Sequence, residues 1–267
     1  MISAWGLAVP AFPAPAETPV RVFVSLPPQK YFVEQIGGDR VKVEVLVRPG
    51  QNPDTFDLTH RQMTELGESR IYFLIGMPFE SVWAPRIQKT HPHLKVVPTV
   101  EAGGAGENPH RWLAPRLVMG MADRIRDALI EEDPGGREQY RAGHARLVAA
   151  LRRLDADIRR ILEPVRNRYL MVYHPAWSHF ARAYGLVEIP IESEGKPPGP
   201  QALAQTIRKG RELGIKAIFI QKQFPHKVVE PVARALDARI LTVDPLAEDY
   251  PENLRRVARL FAEALRS

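Results

Sequence analysis

The segment Leu147-Val148-Ala149-Ala150-Leu151-Arg152-Arg153-Leu154-Asp155-Ala156-Asp157-Ile158-Arg159-Arg160-Ile161 decides the architecture. Its apolar residues Leu147, Leu151, Leu154, Ile158 and Ile161 recur at spacings of three and four, which sets them on one face of a helix. From about residue 115 to residue 166 no strand pattern interrupts the chain. A break is expected at Asp133-Pro134-Gly135-Gly136, and Glu163-Pro164 closes the run. Roughly 30 residues of helix at about 1.5 Å each extend about 45 Å, more than one small domain needs. Such a helix reads as a strut between two halves.

Both flanking regions alternate strand and helix. Before the strut, strands are read at 20–25, 41–47, 71–75 and 95–98, with helices at 29–36 and about 58–67. After it, strands are read at 169–173, 187–191, 217–220 and 239–243. Helices there run through Tyr184 to a Gly185 cap, around 227–236, and over 251–266, where Leu254, Val257, Leu260, Phe261 and Leu265 face the core. Alternation of this kind implies mostly parallel sheets covered by helices on both faces.

The chain has 267 residues, 45% hydrophobic and 25% charged, the balance of a soluble globular protein. It contains no cysteine, which excludes disulfides, thiolate metal sites and a cysteine-linked lipid anchor. The net charge of +6 raises the question of an acidic partner, but the basic residues are scattered over helices as Arg152-Arg153, Arg159-Arg160 and Arg255-Arg256 among acidic neighbours. Solvated helix faces account for them, and no nucleic-acid partner is expected. Residues 2–16 are apolar and uncharged, and end in Ala14-Pro15-Ala16 before Glu17. They match the apolar core and small-residue cleavage site of an export signal, although the basic n-region is missing. The run is too short and proline-broken to span a bilayer.

Four potential metal ligands lie just past strands: Asp54, His110, His174 and Asp244. In open α/β sheets, ligands gather outside the carboxyl ends of the strands, so four such loops can converge on one ion. Two imidazoles and two carboxylates suit zinc, manganese or ferrous iron. Asp54 has a rival reading as an Asx-turn residue after Pro53, and Asp244 as an N-cap. His60, His91, His93, His144, His179 and His226 read as ordinary hydrogen-bonded histidines. His174 and His179, five residues apart, cannot chelate from one helix face. No phosphate loop or nucleophile motif is present.

In order and spacing, the sequence resembles the solute-binding proteins of zinc and manganese ABC importers. The resemblance runs from Val20 to the C-terminus. It is carried by Gly50-x-x-Pro53 leading to Phe56, Asn108-Pro109-His110-Arg111-Trp112-Leu113, His174-Pro175-Ala176-Trp177-Ser178-His179-Phe180, Glu192-Ser193-Glu194-Gly195-Lys196 and Asp244-Pro245-Leu246. It implies an α/β protein of two Rossmann-like lobes with parallel sheets joined by a long rigid helix: a tail at 1–16, lobes at 17–134 and 167–267, and the linking helix at 135–166. It also implies a periplasmic monomer, not an enzyme, that binds a divalent metal through Asp54, His110, His174 and Asp244. Zinc is the first expectation, with manganese and ferrous iron as alternatives, and the partner is the importer's membrane permease. The family usually has histidine where this chain has Asp54, and many zinc members carry a histidine-rich loop where residues 99–109 are short and histidine-free. Two other readings stay open. One is the same architecture holding an organic or metal-chelate ligand, with Asp54 and Asp244 as polar contacts. The other is a metal-dependent hydrolase with Glu194 as base.

Overall fold

The computed structural model describes residues 18–101, 108–192 and 195–266. The signal-like tail, residues 102–107 of the short loop and Glu194 lie outside them.

The first half runs β1 (Val20–Val24), α1 (Pro27–Gly37), β2 (Val41–Val45), α2 (His60–Leu66), β3 (Ile71–Leu74), α3 (Pro78–Thr90) and β4 (Lys95–Pro98). Two helices follow, α4 (Pro115–Glu132) and α5 (Arg137–Leu162). The second half runs β5 (Tyr169–Val172), α6 (Ser178–Tyr184), β6 (Val187–Pro190), α7 (Pro200–Glu212), β7 (Ala217–Gln221), α8 (Glu230–Leu236), β8 (Arg239–Val243) and α9 (Tyr250–Ala264). All strand pairs are parallel. The sheet orders β2-β1-β3-β4 and β6-β5-β7-β8 are the same topology used twice. In each, the chain turns outward from the first strand in both directions, which opens a crevice at the carboxyl ends of the inner strands.

Helix α5 has 26 residues, about 39 Å. Leu147, Leu151, Leu154 and Ile158 are buried as their spacing predicts, while Ile161 and, on α9, Leu260 are only half-buried. The break before α5 is pinned by Asp133, which accepts two hydrogen bonds from Arg40 (2.8 and 2.9 Å) and one from the Tyr140 hydroxyl. Those donors hold the Asp133 carboxyl down at about 2. Asp155 faces the core from α5 and is 6% exposed. Its charge is answered by Arg116 of α4 (2.9 Å), Arg159 (3.1 Å) and the Tyr184 hydroxyl of α6 (3.0 Å). α5 packs on α1 and α4 on one side and α9 on the other, and one apolar core continues from Val22 through Leu151 to Phe261. The strut is therefore embedded in both halves.

Two helices are not announced by periodicity. α3 contains Pro85 in its interior, a residue that normally argues against helix. α7 buries fully only Gly210, with Leu203 and Ile207 half-covered, and its many polar residues stay exposed.

Candidate metal centre

Asp54 follows β2 in a single 3-10 turn, Pro53–Thr55. The Asx role here belongs to Asn52, whose side-chain oxygen accepts from the Asp54 backbone N–H at 3.0 Å. Phe56, packed edge-on against Phe79 with ring centres 5.0 Å apart, anchors the far side of the turn. The Asp54 carboxylate is thereby left free for other work, and its Oδ2 lies 3.3 Å from His174 Nε2.

His110 sits between Asn108 and a 3-10 turn, Arg111–Leu113. Asn108 is fixed from the second half: its amide nitrogen donates to the Pro175 carbonyl and to Ser178 Oγ (3.1 Å). Its amide oxygen therefore faces His110, where it accepts from both the backbone N–H and Nδ1, each at 2.9 Å. Trp112, beside the His110 ring at 5.0 Å, donates from its indole N–H to the Pro245 carbonyl (2.8 Å). The loop of His110 is thus tied to the loops of His174 and Asp244.

His174 lies two residues past β5, and its Nδ1 donates to Glu192 Oε1 at 2.6 Å. Glu192, 3% exposed, orients this ring, and no local pattern in the sequence marks it for that role. Register could have found it. β5 and β6 pair Val172 with Pro190, an offset of 18, so two steps on His174 stands beside Glu192.

The consequence is chemical. A histidine whose Nδ1–H is committed to an acceptor presents the lone pair of Nε2. Both histidines are so committed, and their Nε2 atoms are 3.3 Å apart. Zinc–nitrogen bonds of about 2.0–2.1 Å at the tetrahedral angle give a ligand–ligand edge of about 3.3 Å. The N–N separation and the N–O separation to Asp54 both match it. Ligand atoms of Asp54, His110 and His174 all lie within 4.8 Å of one another, the one such group among the described residues.

Electrostatics divide the two rings. Burial drives His110 well below its ordinary value of 6.5, with the nearby His174 and His179 adding to the effect, so it stays neutral. Burial also works against a charged His174, but the Glu192 hydrogen bond and the negative Asp54 and Glu192 outweigh it, and its pKa is raised. A proton on His174 Nε2 is held by the same two groups, His110 Nε2 and Asp54, that would share an ion. Burial raises the Asp54 carboxyl, opposed by His174 and reinforced by Glu192.

Asp244 stands outside this group. Its Oδ1 accepts from Leu246 N–H at 2.9 Å, the local turn role, and its Oδ2 pairs with Lys222 Nζ at 3.1 Å. Five of the six remaining histidines have ordinary partners: His91 and His93 bond separate carbonyls, of Met63 and Gly67, His144 meets Asp123, His179 bonds the Asn108 carbonyl and His226 meets Thr242.

A family profile for ZnuA, the periplasmic component A of the zinc-uptake complex, matches residues 22–264. Among curated proteins, the chain is 28% identical over 235 residues to the iron-binding protein YfeA of Yersinia pestis, covering 80% of this chain and 74% of that one. It is 22% identical over 251 residues to the high-affinity zinc uptake system protein ZnuA of Bacillus subtilis (85% and 78%). Among solved structures, a crystal structure of ZnuA superposes with a TM-score of 0.88 at 38% identity, covering 92% of this chain and 99% of that one. A zinc-bound deletion mutant of ZnuA superposes with a TM-score of 0.89 at 37% identity (93% and 99%).

Proposed function

The chain belongs to the ZnuA family of metal-binding solute-binding proteins, which serve ABC importers and are not enzymes, and on that premise we propose that it captures zinc. In this reading Asp54, His110 and His174 are the inner ligands, and Asp244 joins them from the end of β8. The observation that carries it is the meeting of two Nε2 lone pairs and a carboxylate oxygen at a spacing of 3.3 Å. Imidazole favours zinc over manganese, and the hard carboxylate of Asp54 tempers that preference and leaves manganese and ferrous iron as weaker cargoes. The protein works as a periplasmic monomer that passes the ion to the membrane permease. Residues 1–16 serve as the export signal, 17–134 and 167–267 as lobes, and 135–166 as the helix between them.

Calorimetric titration with zinc in buffers of different ionisation enthalpy tests this. One ion should bind per chain. More than half a proton should leave with it at pH 6.5, from His174, whose pKa is raised, because His110 is already neutral. Affinity should fall about tenfold per pH unit below the raised pKa of His174 and level off above it. Absence of heat and of any thermal stabilisation with zinc, manganese and ferrous iron alike would overturn the proposal. A bound ligand at 100 times its dissociation constant stabilises a fold by about 2.7 kcal/mol, which a melting curve resolves easily.

A further inference from the structure

Strand β7 lies between β5, which delivers His174, and β8, which delivers Asp244. Its last residue, Gln221, is in register with Val243, so the next residues, Lys222 and Asp244, stand side by side across one strand spacing of about 4.8 Å. Gln221 also donates from its side-chain amide to the His174 carbonyl at 3.0 Å, which fixes the end of β7 against the metal centre. Lys222 is thus placed in the gap that Asp244 must cross to reach an ion held by His174. Its ammonium holds Asp244 Oδ2 at 3.1 Å. The aspartate backbone is itself anchored, since Asn253 Nδ2 donates to the Asp244 carbonyl at 2.6 Å. Both carboxylate oxygens are engaged, Oδ1 by the Leu246 N–H and Oδ2 by the lysine, so an ion must compete for one of them.

We propose that Lys222 is a built-in competitor for the fourth ligand, so that capture exchanges one cation for another on the Asp244 carboxylate. This deepens the zinc-capture reading above and depends on it. The Lys222 side chain is 64% exposed and that of Asp244 18%, so the ion pair is a weak one in contact with water. A divalent ion coordinated by two imidazoles and Asp54 outbids a single hydrated ammonium. The lysine, however, remains tethered beside the vacated carboxylate, where its charge opposes that of the ion and where it can reclaim Asp244 as the ion leaves. The exchange weakens holding and speeds release, properties suited to a carrier that must hand over its cargo.

The test is a double-mutant cycle on zinc affinity and on the dissociation rate into excess chelator. Lys222→Met keeps the stem and removes the charge. It should tighten binding about two- to fivefold, the range set by an exposed ion pair, and slow dissociation to match. Asp244→Asn should weaken binding, and in that background Lys222→Met should gain clearly less than in the unsubstituted protein, because the contested carboxylate is gone and only the direct repulsion between lysine and ion is left to relieve. An unchanged affinity in Lys222→Met, or an equal gain in both backgrounds, would overturn the exchange. His174→Ala separates the two readings. If it abolishes binding while Lys222→Met has no effect, only the exchange fails; if the unsubstituted protein binds no zinc, both do.

Discussion

His110→Ala is expected to lose zinc affinity by more than about hundredfold while the protein still folds. Loss of a residue that merely orients a metal ligand costs about 10–100-fold, and His110 is placed to donate the bond itself. It is also the ligand that needs least preparation. Burial keeps it neutral, and Asn108 fixes its tautomer from both the backbone and the ring side. Among the described neighbours of the ring, Trp112 offers only an indole N–H, already given to the Pro245 carbonyl, and His179 is bonded to the Asn108 carbonyl. Its structural duty is light by comparison: the ring bonds Asn108 and His174. Competition titration against a chelator of known affinity measures the loss, and circular dichroism checks the fold. An affinity within about threefold of the unsubstituted protein would remove His110 from the centre.

The second large effect concerns the strut, and it is a pair of opposite signs. Gly143 lies in α5 where α1 crosses it. A Cβ there would stand 2.3 Å from the Ile36 carbonyl oxygen and 2.8 Å from that of Gln35, both backbone atoms that cannot swing aside. Gly120 lies in α4 with open space within 4 Å of the same position. Replacing glycine by alanine inside a helix gains up to about 1 kcal/mol from propensity alone. At Gly120 nothing opposes that gain, so Gly120→Ala should stabilise. At Gly143 the overpacking cost of about 1–3 kcal/mol exceeds it, so Gly143→Ala should destabilise. Denaturant midpoints measured together on both variants decide the matter. Equal, positive shifts would mean that α1 does not seat on α5 as closely as the structure has it.

Much of this architecture was legible because the signals were strong and local. The stripe from Leu147 to Ile158 marks α5, and the proline–glycine break at 133–136 marks where it starts. The β-branched runs mark the strands, and Gly185, with φ of 71°, caps α6 as its position suggests. Helix α3 was hidden by an interior proline and α7 by its exposure. At the metal centre, a strand end pointed to His174 and a proline-fixed loop to His110, which lies twelve residues past β4, but two facts lay beyond local reading. One is the partner of the His174 ring, since Glu192 reaches it only through the β5–β6 register. The other is the contrast between two aspartates, one with a rival reading as an Asx-turn residue and one as an N-cap. Asn52 takes the turn duty that would have absorbed Asp54, whereas Asp244 performs its own turn bond and meets Lys222 besides. The Lys222 partner of Asp244 follows only from the pairing of β7 with β8.

The most direct test of zinc capture is a crystal of the zinc-loaded protein, with diffraction recorded on both sides of the zinc absorption edge. The account predicts a single anomalous peak between the two sheets. The peak should lie about 2.0–2.2 Å from an Asp54 carboxylate oxygen and from Nε2 of both His110 and His174, with Glu192 still on Nδ1 of His174. A peak elsewhere on the molecule, or one bound through Nδ1 of His174 with Glu192 displaced, would contradict it.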